Sequence, residues 1–214
     1  MEHYFTNNEN LKSELRTIVY KIDDSEFTFF SDYGVFSKDK IDFGSNLLIK
    51  TIIKNIDKKN LEILDVGCGY GLIGISLARI LKSKAVMSDI NKRALHLTDK
   101  NIVYNKVEGK TIESNVYDNI DGKYDLIVTN PPIRAGKKQV YKILDEASNH
   151  LKDDGELWFV IRKEQGAKST IEHLKERYQV NIMERSKGFF IIMAKKAWEK
   201  PKKRWHWGLL NIKL

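Results

Sequence analysis

The feature that most constrains this chain is a short apolar run, Leu61-Glu62-Ile63-Leu64-Asp65-Val66, stopped by a turn holding three glycines, Gly67-Cys68-Gly69-Tyr70-Gly71. A run of that length, apolar without strict alternation, reads as a strand buried on both faces, the situation of a parallel sheet. Leu72, Ile73, Ile75, Leu77, Ala78, Ile80 and Leu81 follow at helical spacing. Strand, glycine turn and helix in that order begin a unit whose next strand must lie parallel to the first. Residues 85–88 supply it, ending at Asp89.

The alternation continues. The pattern predicts a helix over 93–104, a strand near 111–115, and a strand over 124–129 that Pro131 and Pro132 close, because proline cannot donate to a ladder. A helix over 138–151, a strand over 156–161 and a helix over 165–178 come next. Residues 180–184 and 189–194 read as two strands joined through Ser186-Lys187-Gly188, a gap suited to a hairpin. The expected fold class is α/β: a doubly wound, mostly parallel sheet to which the C-terminal hairpin adds one antiparallel strand. Residues 1–60 read as an N-terminal extension on the same domain, with strand patches at 17–22 and 27–30 and a helix over 45–56, since 60 residues have little core of their own. Residues 61–196 form the core and 197–214 a tail.

Composition narrows the setting. A hydrophobic share of 42% and a charged share of 31% describe a globular chain. No apolar run nears the roughly 20 residues that span a bilayer, so no membrane partner is expected. The single cysteine, Cys68, cannot form an internal disulfide, and the N-terminus lacks the basic flank and apolar stretch of a secretory signal. A cytoplasmic location is the expectation. Cys68 has no histidine near it in sequence and reads as a small side chain in a turn. His3, His96, His150, His173 and His206 show no metal-ligand spacing, so no metal is expected. The net charge of +8 is concentrated: from Lys195 to Lys213 seven basic residues stand against Glu199 alone. Trp198, Trp205 and Trp207 interleave with them, and lysines for phosphates with indoles for bases make this tail a candidate RNA contact. Tryptophans packed on a sheet edge are the other reading.

At the carboxyl end of a parallel strand, glycines let a ligand approach the backbone. Asp65 precedes the first glycine, where a carboxylate can face a cationic group. Asp89 ends the next strand, where an acid can hold two ribose hydroxyls. Gly69, Gly71 and Gly74 also fit G-x-G-x-x-G, the dinucleotide fingerprint, and a ligand-free turn is the third possibility. The segment Asn130-Pro131-Pro132-Ile133 closes the fourth strand at the same sheet edge. Proline biases Asn130 to an extended conformation, and the Asn130 amide oxygen with the Pro131 carbonyl could accept both hydrogens of an –NH2 group. Positioning of that kind needs no covalent intermediate.

Asp65 to Gly71 followed by Asn130-Pro131-Pro132 resembles the class I amino-methyltransferases that act on adenine, guanine or glutamine amides. Gly34-Val35-Phe36-Ser37-Lys38-Asp39 with Asp42-Phe43-Gly44, and Ser114-Asn115-Val116-Tyr117, resemble the small-subunit ribosomal RNA guanine-N2 methyltransferases of the RsmC type, and Asn130-Pro131-Pro132-Ile133-Arg134-Ala135-Gly136-Lys137 resembles the short, single-domain branch of that family. The resemblance covers about residues 17–196 and implies a Rossmann-like class I methyltransferase fold with S-adenosylmethionine as cofactor. By it, Asp65, Gly67, Gly69 and Gly71 belong to the cofactor site, with Asp65, Gly67 and Gly69 along the methionine part, Asp89 at the ribose and Asn115 at the adenine edge. It places the target amine on Asn130 and Pro131, beside Pro132 and Ile133. Ile133 stands where many relatives carry an aromatic residue. The implied partner is ribosomal RNA or the ribosomal subunit. A glutamine-amide methyltransferase, a non-catalytic RNA-binding assembly factor and an NAD-dependent oxidoreductase are the alternatives.

Overall fold

A computed structural model describes residues 13–197; the tail beyond Ala197, with its expected RNA contact, lies outside the described residues. An N-terminal hairpin, β1 (Arg16–Ile22) and β2 (Ser25–Ser31), precedes helix α1 (Phe43–Asn55). The alternating part follows as β3 (Glu62–Val66), α2 (Leu72–Ile80), β4 (Lys84–Asp89), α3 (Lys92–Tyr104), β5 (Gly109–Glu113), β6 (Tyr124–Thr129), α4 (Lys137–Glu146), β7 (Leu151–Arg162), α5 (Ala167–Leu174), β8 (Tyr178–Ser186) and β9 (Phe189–Lys196). Seven strands form one sheet in the order β5-β4-β3-β6-β7-β9-β8. The first five pair in parallel, and β9 runs antiparallel to both neighbours.

Successive residues of each strand point to opposite faces, and the core divides accordingly. Ile63, Leu126 and Trp158 join one buried cluster with Ile75, Leu77, Phe27, Phe29 and Leu48. Leu64, Ile127 and Phe159 join the other with Ile143, Leu144 and Leu174. The N-terminal hairpin and α1 therefore share a core with the sheet. They also bury the outer side of α2, which is why that helix is apolar on nearly every face, Leu72 through Ala78 all being buried.

The hairpin is fixed by an unusual edge. Asn101 on α3 and Asn105, the cap just past its C-terminal end, bond the backbone of β2 as another strand would. Phe30 N–H donates to Asn101 Oδ1 (2.7 Å) and Thr28 N–H to Asn105 Oδ1 (3.2 Å). The two side-chain amides return bonds to the Phe30 and Thr28 carbonyls at 3.0 and 2.8 Å. Asn101 also donates to the Tyr70 carbonyl at 2.8 Å, inside the glycine turn. Replacing a buried group of this kind strands its partners at roughly 1–3 kcal/mol each.

Boundaries depart from the sequence pattern where one residue serves a different element. Leu151, expected on a helix face, begins β7 opposite Tyr124 before a register shift. Helix α4 ends at Glu146 in a single 3-10 turn, Ala147–Asn149. Tyr178, expected to close a helix, begins β8 opposite Lys196. Helix α1 starts at Phe43 because Asp42 is its cap, accepting from Ser45 N–H at 2.8 Å. Strand β5 sits at Gly109–Glu113, two residues earlier than expected.

Candidate functional site

A cavity of about 360 Å³ opens at the carboxyl edge of the sheet, between the ends of β3, β4, β5 and β6. Its walls include Gly67, Gly69, Asp89, Asn115, Asn130, Pro131 and Pro132, so the structure brings together most of the residues singled out from sequence. Three of them are not on the wall: Asp65, Gly71 and Ile133.

The glycine turn is held by local bonds. Gly67 and Cys68 N–H both donate to the Ser88 carbonyl at 2.8 and 2.9 Å, and Gly71 N–H to the Cys68 carbonyl at 2.9 Å. Gly67 and Gly69 have φ of 73° and 57°, and a Cβ on either would meet no atom within 4 Å. Since both line the cavity, their missing side chains widen the space for a ligand. Gly71 has another reason to be glycine. At φ 89° it caps α2, and a Cβ there would meet Ile75 and Thr98 at under 3 Å. It serves packing behind the turn rather than the cavity.

Asp65 lies beneath the turn and is fully buried. One oxygen accepts from Gly74 N–H at 2.8 Å, while Oδ1 finds no partner among the described residues. Burial pushes its carboxyl up to about 7, the Gly74 bond opposes this, and the negative Asp89 nearby adds to it. Asp89 accepts from Gly69 N–H and Asn91 N–H, both at 2.9 Å. Burial raises its pKa too, against the pull of those amides. The buried Cys68 thiol is pushed well up by burial, which leaves it a protonated, inert wall residue.

Residues 114–116 form the wall beyond β5. Val116 has φ 60°, a strained value for a β-branched residue. Asn115 is fixed by Asp118 at 3.1 Å and accepts from Gln139 at 3.4 Å.

On the opposite side stands Asn130, whose orientation is set by chain far away in sequence. Its amide nitrogen donates to Ser45 Oγ at 2.9 Å and to Asp42 Oδ2 at 3.2 Å. Both amide hydrogens are thereby used. A flipped amide would set its oxygen against the Asp42 carboxylate, so the acceptor oxygen Oδ1 is the end left for a ligand. Ile133 lies in the 3-10 turn Ile133–Ala135 and packs half-buried against the core cluster of Leu64 and Ile143. It is not among the residues of the cavity wall. Pro132 and Ala135 take the wall, and two aromatic residues, Phe36 and Tyr70, line the cavity. From sequence, Phe36 and Asp42 enter only within the motifs that carry the resemblance and Ser45 only as a helix start, none with a site role. The Asp42 signal was a capping residue three positions before Ser45, a spacing that marks a helix start.

The residues fit S-adenosylmethionine on three counts: the side-chain-free cradle at Gly67 and Gly69, the orphaned Asp65 oxygen beneath a site for a cationic group, and the Asp89 carboxylate at the next strand end. Among the described residues no group of acids, histidines and cysteine could hold a metal, and no helix is long and apolar enough to cross a membrane.

An open sheet with this order, a glycine turn after its first core strand and an Asn-Pro-Pro segment after its fourth define a class I methyltransferase, the class that draws its methyl group from S-adenosylmethionine. The Methyltransferase small domain family model matches residues 26–193, and the chain belongs to that family. An uncharacterised Bacillus subtilis protein, YbxB, is 45% identical over 203 residues, 92% of this chain and 99% of its own length. The Haemophilus influenzae protein called ribosomal RNA small subunit methyltransferase C is 38% identical over 138 residues, 62% of this chain but 41% of that protein. The chain thus spans about two fifths of that longer relative. A solved Thermus thermophilus structure, described as a 16S rRNA N2 G1207 methyltransferase (RsmC) with AdoMet and guanosine, superposes with a TM-score of 0.79 at 23% identity. It covers 87% of this chain and 52% of its own, and shares the fold. Family membership removes the dinucleotide reading of Gly69, Gly71 and Gly74.

Proposed function

We propose that this protein methylates an exocyclic amine of a nucleic-acid base, with guanine N2 of small-subunit ribosomal RNA as the target. The observation that carries the proposal is the clamped Asn130 amide, whose two donors are consumed by Asp42 and Ser45 on the cavity wall. An acceptor fixed in this way favours a substrate that presents hydrogens, and the Pro131 carbonyl offers a second acceptor beside it. Bound S-adenosylmethionine supplies an electrophilic methyl group. Gly67, Gly69 and Asp65 would hold its methionine part, Asp89 its ribose and Asn115 its adenine. Asn130 and Pro131 would hold the amine so that its lone pair is presented, and the amine proton leaves to water, which asks for no strong base. Orientation of this sort can supply much of a barrier reduction. Phe36 gives the cavity a ring against which a base can stack.

The choice of guanine N2 is supported by the names of the longer relatives. The tail from 197 to 214 is proposed as a further RNA contact. To test the reading, ribosomal subunits and RNA from cells lacking the protein are incubated with labelled methyl donor, and the product nucleoside is mapped by mass. A labelled guanine in small-subunit RNA is expected. Label on a protein glutamine with none on RNA would move the assignment to the amide class, and no label on either would leave only an assembly role.

A further inference from the structure

Beside the amine acceptors rises a wall built from the ends of β7 and β9. Strand β7 keeps its parallel register with β6 up to Thr129 opposite Phe159, then continues for three residues to Arg162. That carries it roughly 10 Å past the end of its neighbour. Phe189, the first residue of β9, pairs with Arg162, and the turn before it is Lys187-Gly188. Lys163 N–H donates to the Gly188 carbonyl at 2.8 Å, pinning the turn to the end of β7. The wall comes up to the cavity-lining Asp42: a Cβ on Gly44 would meet the Phe189 ring at 2.9 Å and Asp42 Oδ2 at 3.1 Å. The rings of Phe43 and Phe189 lie 5.3 Å apart. The Lys187 ammonium lies 5.0 Å from the Phe43 ring centre, and the Arg162 guanidinium 4.9 Å from that of Phe189.

The turn has φ of 47° at Lys187 and 79° at Gly188. Two positive values mark the tight hairpin turn that ordinarily takes asparagine or glycine first. A lysine there is held in a conformation unfavourable for any residue with a side chain, and it presents an exposed ammonium that makes no ion pair among the described residues. Arg162 is paired to Glu164 at 2.8 Å, so Lys163 and Lys187 contribute most of the wall's unbalanced positive charge.

We propose that this wall grips the phosphodiester backbone of the RNA strand next to the target nucleotide, with Lys187 as its principal phosphate contact. A base whose amine reaches Asn130 must leave its strand running over the cavity rim. Phe43, which packs on Phe189 and lies under Lys187, follows the cavity-lining Asp42 in sequence. The proposal rests on the nucleic-acid reading above and adds where the strand lies.

The test uses the full chain and a short mixed-sequence single-stranded RNA, with Lys82 as a matched control. Lys82 is also an exposed lysine with positive φ, 47°, but it precedes β4 at the opposite edge of the sheet. Lys187→Gly and Lys82→Gly remove the same charge and relieve the same backbone strain, so both should melt at or above the parent temperature. Only Lys187→Gly should weaken RNA binding several-fold and make the slope of log affinity against log salt shallower by about 0.7, the value of one lost single-strand phosphate contact. Binding of S-adenosylmethionine should be unchanged in both. Equal RNA affinities and slopes for Lys187→Gly and the parent overturn the wall while leaving the nucleic-acid reading intact, as does an equal loss in Lys82→Gly. A parent protein that binds no RNA overturns both.

Discussion

The two sides of the cavity are built by different means. The glycine-turn side is local: Asp65 reaches Gly74 nine residues on, and Asp89 reaches Gly69 across twenty. The amine side is assembled over distance, with Asn130 bound to Asp42 and Ser45 across 88 and 85 residues. On the first side backbone conformation and buried charge do the shaping. On the second, one side-chain amide is oriented by a helix cap borrowed from the N-terminal segment. A class-wide ligand can be served by a compact local motif, whereas the acceptor end depends on whatever packs against it.

The contrast is sharpest in the response to pH. A carboxyl raised by burial from 3.8 to about 7, as at Asp65, holds its proton more tightly in the folded chain than in the unfolded one. Between about pH 4 and about pH 7 the unfolded chain binds fewer protons, so stability declines as pH rises, by up to about 1.4 kcal/mol per unit, and levels off above that window. Thermal melts of the ligand-free protein across this range should show the decline, and Asp65→Asn should make it shallower, leaving the smaller contribution of the raised Asp89. Parallel curves for the two proteins would mean that the buried charge is compensated in some other way.

Next in size is the amine side. Asn130→Ala is expected to lower turnover on the order of 100-fold, the scale of a lost positioning contact, with cofactor affinity measured by calorimetry left as it was. A loss of affinity instead would merge the two sides. Asp89→Ala is the reverse case: affinity for S-adenosylmethionine should fall by roughly 10-fold or more, the worth of one charge-assisted hydrogen bond, because the proposed ribose contact goes together with the brace on Gly69. The smallest effect belongs to Asp42→Asn. Asparagine caps a helix about as well as aspartate, so the melting temperature should hold, while the Asn130 amide becomes free to flip and turnover falls roughly tenfold at most. In an Asn130→Ala background the same change should cost nothing more, and additive losses would show that Asp42 acts elsewhere.

Much of this was readable in advance, and the boundary of legibility follows the same division. Apolar runs bounded by glycine or proline placed β3, β4 and β6 within a residue or so, and the one antiparallel strand followed from the spacing of the hairpin at Ser186-Lys187-Gly188. The glycine turn, Asp89 and Asn130 were visible because a strand end, a loop and a helix start are contiguous in sequence. Leu151 and Tyr178 misled because an apolar residue one turn beyond a helix fits a helix face as well as a strand start. Periodicity cannot separate the two. Ile133, placed beside the target amine by the resemblance, packs half-buried against the core from its 3-10 turn and is not among the cavity-lining residues. Phe36 and Asp42 were out of reach for a different reason: nothing local says that a loop at 35–37 and a cap at 42 will meet a strand end at 130.

One consequence concerns self-association. A two-stranded hairpin has two open edges, each a template on which a second chain can add a strand. Here the β2 edge is already occupied by the Asn101 and Asn105 amides at the C-terminal end of α3. Among the described residues the hairpin's other edge is β1, and its exposed positions are Thr17, Val19 and Lys21. Helix α3 thus acts as a guard against edge-to-edge polymerisation. A chain with leucine at 101 and 105 would keep a similar shape and apolar volume, yet lay bare a strand edge that its own neighbours could extend.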